Sequence, residues 1–363
     1  MSDTTKPEVL LFASTTQSFL EKEASLSRLR ELHAAGTSFD TGWWRRAAEL
    51  GWTSLLVPEE IGGGSGSGDG VRDLALVAEP ARKTVAPGPL HPVSTVLASL
   101  VSGELVASWA VYEPGKSWAP LSAGVTATRT DSGFWLDGVK DRVEAGAESA
   151  VLLLVANCDG AVRQFLVPTD AAGVRVEPQR SVDLVKSYAR VHFDGVEVDA
   201  SAAVGSAEHT PELISRQSQI AQILQCAEVV GILDAVLKFT IQWGFDRHSF
   251  GRPLGSYQAL KHKYADLKIW FEACKAATNA AVAEVADRSS DAEMAVSVAK
   301  SYVGEYAPGM LQDCIQLHGG IGVTWEHNLH LYLRRVMLDR SMFGTPEDLN
   351  LRVYALTEQR EPA

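Results

Sequence analysis

The spacing of apolar residues changes twice along the chain. Up to about residue 106 it recurs every three or four positions, which predicts helices joined by turns. The predicted helices cover 10–23, 25–35, 71–83 and 92–101, with another, capped by Asp40 or Thr41, that carries Trp43, Trp44 and Leu50. The run Gly62-Gly63-Gly64-Ser65-Gly66-Ser67-Gly68 has no Lys-Ser/Thr ending and no preceding strand–helix pattern, so it reads as a flexible connection rather than a phosphate cradle. Between about 107 and 200 the period falls to two. Strands are predicted at 108–112, 125–130, 134–140, 151–156, 164–167, 174–178 and 189–198, separated by turns such as Asp131-Ser132-Gly133. They predict a small antiparallel β domain, a barrel or a sandwich. From about residue 211 the helical spacing returns. Ile220, Ile223, Ala227, Val230, Leu233 and Leu237 form one stripe, and further helices are predicted at 257–287, 291–317 and 328–338. Four long helices with short links predict an antiparallel bundle.

Composition narrows the functional classes. With 21% charged and 46% hydrophobic residues, the chain is globular rather than disordered, and 363 residues suffice for two or three domains. A net charge of −12 argues against nucleic acid and against an anionic membrane surface as partners. Cys158, Cys226, Cys274 and Cys314 are widely spaced, without a Cys-x-x-Cys pair, which predicts buried thiols in a reducing compartment. The first residues lack an apolar signal core, and the longest apolar run, 150–156, is too short to span a membrane. The expectation is a soluble, cytoplasmic protein. His318, His327 and His330 fall close together, but no carboxylate completes a ligand set, so no metal site is expected.

The chemistry concentrates at residues 247–258. Arg247 closes one predicted helix, Gly251 and Pro253 break it, and Ser256 is placed to cap the next. A cation, a small hydroxyl and flexible backbone at a helix–helix corner suit a bound phosphate. With the order helices, β domain, bundle, the motif Arg-x-x-Phe-Gly at 247–251 resembles that of the acyl-CoA dehydrogenase family. Three further matches stand in the expected places: Val57-Pro58-Glu59, Val111-Tyr112-Glu113-Pro114-Gly115 and Gln316-Leu317-His318-Gly319-Gly320-Ile321-Gly322.

The resemblance implies an α+β fold: an N-terminal helical domain (1–106), a middle antiparallel β-barrel domain (107–205) and a C-terminal four-helix bundle (206–363). It implies FAD, held by two half-sites across a subunit interface. One chain cups the flavin ring with its β domain, while its neighbour's bundle reaches the pyrophosphate and adenosine. On that pattern Arg247, Ser249, Phe250, Gln258, Gln316, Gly319 and Gly320 are the expected cofactor-binding residues, and this half is intact. The other half departs from the family. Tyr112 stands where a hydroxyl donor to the flavin is usual, Lys116-Ser117-Trp118-Ala119-Pro120 replaces small and acidic residues, and Arg142-Val143-Glu144-Ala145-Gly146 replaces Trp-Ile-Thr-Asn-Gly. A glutamate beside a reduced flavin would repel it.

The family's catalytic base is also missing, so no catalytic residue is expected in this chain. The usual Glu precedes Gly-Thr, and here Gly344-Thr345 follows Phe343; the alternative position, on the first bundle helix, is Ala221. Glu347 and Asp348 read as solvated acids before a helix. The stretch between Ser102 and Val106 is short where relatives often carry a helix. The expected role is the non-catalytic subunit of a heteromer with two copies of each chain. Its bundle would contribute to FAD whose ring and acyl-CoA substrate lie in a catalytic partner subunit, as in the actinobacterial enzymes of steroid side-chain degradation. The alternatives are a self-sufficient homotetramer with a relocated base, and a scaffold without a cofactor role.

Overall fold

The computed structural model describes residues 7–38, 41–78, 85 and 105–359. The chain opens with α1 (Pro7–Glu23), α2 (Leu26–Ala34) and α3 (Thr41–Glu49). Pro7 takes the first helical position, where a missing N–H costs no hydrogen bond. Ser25 stands just ahead of α2, and its Oγ accepts the Arg28 N–H at 3.3 Å. Trp43 and Trp44 of α3 are buried, and Trp43 meets Trp52 edge-on with centroids 6.1 Å apart. Within the glycine run Gly63 is closely packed, since a Cβ there would lie 2.1 Å from the Val57 carbonyl oxygen, whereas Gly62 and Gly68 face open space. A helix follows, α4 (Gly70–Ala78). The rest of the helix predicted at 71–83, the helix predicted at 92–101 and the proposed cap Asp40 lie outside the described residues.

The β region contains β1 (Ala107–Ala110), β2 (Thr126–Arg129), β3 (Gly133–Glu144), β4 (Val151–Cys158), β5 (Ala161–Pro168), β6 (Val174–Gln179), β7 (Tyr188–Asp199) and β8 (Ala203–Val204). They form one sheet in the order β6-β7-β3-β2-β4-β5-β8, with β1 beside β4. Most pairs are antiparallel, as alternation and tight turns predict. Two are not: β1 runs parallel to β4, pairing Ala107 with Val151, and β2 meets β4 in parallel at Thr126 and Asn157. These partners are distant in sequence, so no hairpin turn fixes their direction. β3 shifts register between Leu136 and Gly138 and again between Lys140 and Val143, and such bulges bend and twist a strand. The sheet curls around one core that includes Val125, Leu136, Leu154, Phe165, Val191 and Phe193.

The C-terminal region holds α5 (Thr210–Asp246), a two-rung hairpin of β9 (His248–Ser249) and β10 (Arg252–Pro253), then α6 (Gln258–Ala286), α7 (Ala292–His318), α8 (Leu329–Ser341) and α9 (Pro346–Glu358). All six residues of the predicted α5 stripe are buried. This 37-residue helix is apolar and long enough to cross a membrane, yet 89% of its most apolar stretch is buried within the protein, as in a core helix. A fifth helix, α9, joins the four that spacing predicts. Thr345 caps it in a reciprocal box with Asp348. Arg335 of α8 is fully buried, forms an ion pair with Glu228 of α5, and reaches the Val85 carbonyl at 3.4 Å. By internal contacts the chain divides into two compact units. One combines Met1–Arg30, Val71–Ala86 and Gln222–Ala363; the other combines Glu31–Gly70 and Pro87–Ala221.

Candidate cofactor site

The corner after α5 is a tight hairpin. Ser249 pairs with Arg252 and His248 with Pro253, leaving Phe250 and Gly251 as the two turn residues. Both have positive φ, 50° and 78°, the backbone signature of a type I′ turn. A phenylalanine is costly in that conformation, and its ring is 97% exposed. The hairpin is braced from α6's side: the Tyr257 hydroxyl donates to the Ser249 carbonyl at 2.8 Å, and the Arg252 guanidinium lies 3.9 Å from the Tyr257 ring centroid. Ser256 does not cap α6. Its Oγ donates to the Pro253 carbonyl at 2.7 Å, and Tyr257 occupies the cap position without a side-chain bond. Gln258 is therefore the first residue of a helix whose N-terminal amides no side chain caps, an electropositive end.

The second element is the end of α7. Gly319 terminates this helix with φ 69° and ψ −147°. A Cβ on Gly319 or Gly320 would meet nothing within 4 Å, so the space before both is open, whereas one on Gly322 would lie 2.7 Å from the Ile315 carbonyl oxygen. Open, glycine-lined backbone lets a ligand approach closely. Aromatic packing holds this turn near the α5 corner. His318 stacks on Trp243, centroids 5.3 Å apart at 20°, and also meets Phe239 and His327 at 5.5 and 4.9 Å. The Nδ1–H of His318 donates to the Cys314 carbonyl at 2.8 Å, and burial lowers the pKa of this imidazole. Lys263 of α6 joins Asp313 of α7 at 2.9 Å.

These contacts bring the expected residues Arg247, Ser249, Phe250, Gln258, Gln316, Gly319 and Gly320 to one end of the bundle. The side chains of Arg247, Ser249, Gln258 and Gln316 make no hydrogen bond or ion pair among the described residues. A cation, two amides and a hydroxyl left uncommitted around bare glycine backbone fit the pyrophosphate end of a dinucleotide.

The β domain's departures from the family pattern have found partners within the chain. Tyr112 is buried, with the Arg142 guanidinium 4.2 Å from its ring centroid and the Trp118 ring 5.0 Å away. Arg142 also donates to the carbonyls of Lys116 at 2.8 Å and Glu113 at 3.4 Å. Glu144 is buried against Lys186, 3.2 Å away, so its charge is opposed within the chain. Glu113 forms an ion pair with Lys140, whose ammonium is fully buried, and accepts the Gly124 N–H at 2.8 Å. Burial lowers the Lys140 pKa, and Glu113 opposes that shift. Of these residues, Tyr112, Glu113, Lys116 and Trp118 line part of a cleft of about 790 Å³. Tyr112, Arg142 and Glu144 do not fit an isoalloxazine: the groups that would contact it are committed to one another or to Lys186. Nothing in the sequence near Glu144 pointed to Lys186, since the two meet only through the fold.

Phe343 and Ala221, where the resemblance would place a base, carry no acid. Phe343 is buried with φ 56°, and its carbonyl accepts the Gln222 Nε2–H at 2.7 Å. Ala221 is fully buried. Glu347 and Asp348 lie in the first turn of α9 rather than before a helix. Glu347 joins Arg340 at 2.8 Å, and its own backbone N–H, Arg340 and Thr345 hold its carboxyl below the usual range. The Asp348 carboxylate accepts the Thr345 N–H at 3.1 Å. Both acids thus serve the helix end.

Comparison with known proteins identifies the family. Residues 6–112 match the N-terminal domain of acyl-CoA dehydrogenases and residues 212–354 match their C-terminal domain, together more than half of the chain. The chain is 32% identical over 349 residues to acyl-CoA dehydrogenase FadE34 of Mycobacterium tuberculosis, covering 92% of itself but only 45% of that relative's length. It is 26% identical to acyl-CoA dehydrogenase IpdE2 of Mycolicibacterium smegmatis, over 95% of this chain and 97% of that one. Among solved structures, a variant of the Tcur3481-Tcur3483 steroid ACAD superposes with a TM-score of 0.85 at 26% identity, covering 97% of this chain and 98% of the other.

Proposed function

Because this chain belongs to the acyl-CoA dehydrogenase family, we propose that it is the subunit of a heteromeric enzyme that lacks the base and grips FAD from the side. Bound FAD supplies the hydride acceptor for α,β-desaturation of an acyl-CoA thioester. In this reading Arg247 makes a two-pronged contact with the pyrophosphate, and the Ser249 hydroxyl adds a donor. Gln258 and Gln316 bind polar edges, Phe250 covers the cofactor, and Gly319 and Gly320 admit it to the backbone. The flavin ring and the acyl-CoA belong to a catalytic partner subunit.

One contrast supports this assignment. The side chains of Arg247, Gln258 and Gln316 at the bundle end are exposed and uncommitted, while both base positions are apolar and buried and the ring-side positions are occupied within the chain. A self-sufficient desaturase needs a positioned base, worth about two to four powers of ten in rate. The substrate class we propose is a bulky steroid side-chain CoA thioester, on the likeness to the steroid ACAD. A reducing cytoplasm suits its four free, buried cysteines.

The test is Arg247→Ala in the complex co-expressed with its catalytic partner. Losing charge-assisted bonds to a phosphate weakens FAD binding by about 10–100-fold, with the assembly intact by mass. The chain alone is expected to be colourless and inactive. Full flavin and full turnover in the Arg247→Ala complex would defeat the reading in favour of a scaffold. Turnover by the isolated chain would establish a relocated base.

A further inference from the structure

The link from the glycine turn to α8 has little backbone ladder of its own and is held by side chains: Nε2 of His330 donates to the Trp325 carbonyl at 3.1 Å, Nδ1 of His327 accepts the Leu329 N–H at 3.2 Å, and Arg30 of α2 makes the longest reach. Arg30 is half-buried, and its Nη1 donates to the Trp325 carbonyl at 2.7 Å. Its Nη2 reaches the carbonyls of His327 at 3.2 Å and Glu326 at 3.5 Å, and Oδ1 of Asn328 at 3.2 Å. The guanidinium also lies over the Trp325 ring, 5.4 Å from its centroid. Asn328 occupies the cap position of α8 but makes no cap bond, because its side-chain oxygen faces Arg30 instead. The Trp325 ring stacks on His330, 4.7 Å away.

The stretch 319–323 is a short 3-10 helix, and with Thr324 it lies between two anchors. On one side is the stack of His318 on Trp243, and on the other is the fork of Arg30. We propose that Arg30 is a positioning residue for the glycine turn: it fixes the downstream end of 319–328 and so holds Gly319 and Gly320 in the shape that receives the cofactor. The proposal rests on the cofactor role of that turn given above. The role requires arginine, since a planar fork of five N–H donors can serve four acceptors spread over four residues, and a lysine ammonium cannot match that spread.

Two measurements test it. In the isolated full chain, which requires no cofactor, Arg30→Ala is expected to speed amide hydrogen exchange across 319–328 by about 10-fold or more, with Arg30→Lys only partly restoring protection. Asn328→Ala, which removes one acceptor and leaves α2 intact, shifts exchange the same way by a smaller factor. In the assembled complex, Arg30→Ala speeds FAD release by about 10-fold. Arg352→Ala, which removes a surface arginine paired with Glu293, changes neither rate. Unchanged exchange across 319–328 overturns the proposal. So does faster exchange with FAD release unaltered, which reduces Arg30 to a structural brace. If Arg247→Ala speeds release while Arg30→Ala does not, this inference fails alone; if Arg247→Ala is also silent, the cofactor reading fails.

Discussion

The end of the bundle and the turn-rich face of the β domain carry similar inventories of arginine, aromatic and acidic side chains and use them oppositely. At the bundle end, Arg247 and the amides of Gln258 and Gln316 are exposed and uncommitted beside open glycine backbone. In the β domain, Arg142 covers Tyr112, Lys186 opposes Glu144, and the buried Lys140 ammonium pairs with Glu113. The chemistry of a side chain thus says little until its partners are known. A polar group already satisfied inside the protein gains little from a ligand, whereas one left in water at a shaped surface has bonds to give.

The largest expected effect strikes the β side. Lys140→Met strands the Glu113 carboxylate, and breaking a buried pair from one side costs about 3–5 kcal/mol. Urea unfolding measures that loss, while flavin per assembled complex stays at the wild-type value; flavin lost from an intact complex would break the comparison. Next come two glycines only two positions apart. Gly322→Ala forces a Cβ to 2.7 Å from a carbonyl oxygen and costs about 1–3 kcal/mol of stability. Gly320→Ala meets open space, changes stability by about 0.5 kcal/mol or less, and weakens FAD binding instead. Equal thermal shifts for the two would erase the distinction between a packing glycine and a ligand-facing one.

Arg142→Leu removes a cation–π contact and two bonds to carbonyls, for about 1–2 kcal/mol. The flavin absorption band of the complex should not move, and a shifted band would place the ring beside this residue. The smallest effect is a pH slope. Burial lowers the folded pKa values of His318, His327 and His330, so the unfolded chain binds more protons below about pH 6.5. Their contribution to stability is full above that value and falls as pH drops through it. His318→Phe should flatten the acid limb of stability against pH; an unaltered limb would show that the stack on Trp243 does not depend on a neutral imidazole.

Much of the fold was legible because local pattern and tertiary need coincide. The α5 stripe from Ile220 to Leu237 is buried as its spacing required, and each of the seven predicted strands overlaps an observed one. The corner after α5 and the glycine turn were equally legible as chain breaks, since Gly251 and Pro253 mark the first and Gly319 and Gly320 the second; the cofactor role of their residues is our proposal. What escaped was long-range. Ser256 looked like a cap until the hairpin drew its hydroxyl back to Pro253, and Glu144 looked like a bare charge until the fold set Lys186 beside it. The parallel neighbour of β1 and the reach of Arg30 to Trp325 were likewise invisible in one dimension.

The sequence by itself determined the periods, the turn chemistry and the identity of each side chain, because these depend on neighbours a few residues away. It also determined that Phe343 and Ala221 cannot take up a proton. Only the tertiary structure decided which charges are paired within the chain and which are left exposed to solvent. Burial and pairing are set by residues brought together across the fold, and the free energy of a polar group depends on that surrounding more than on the group itself.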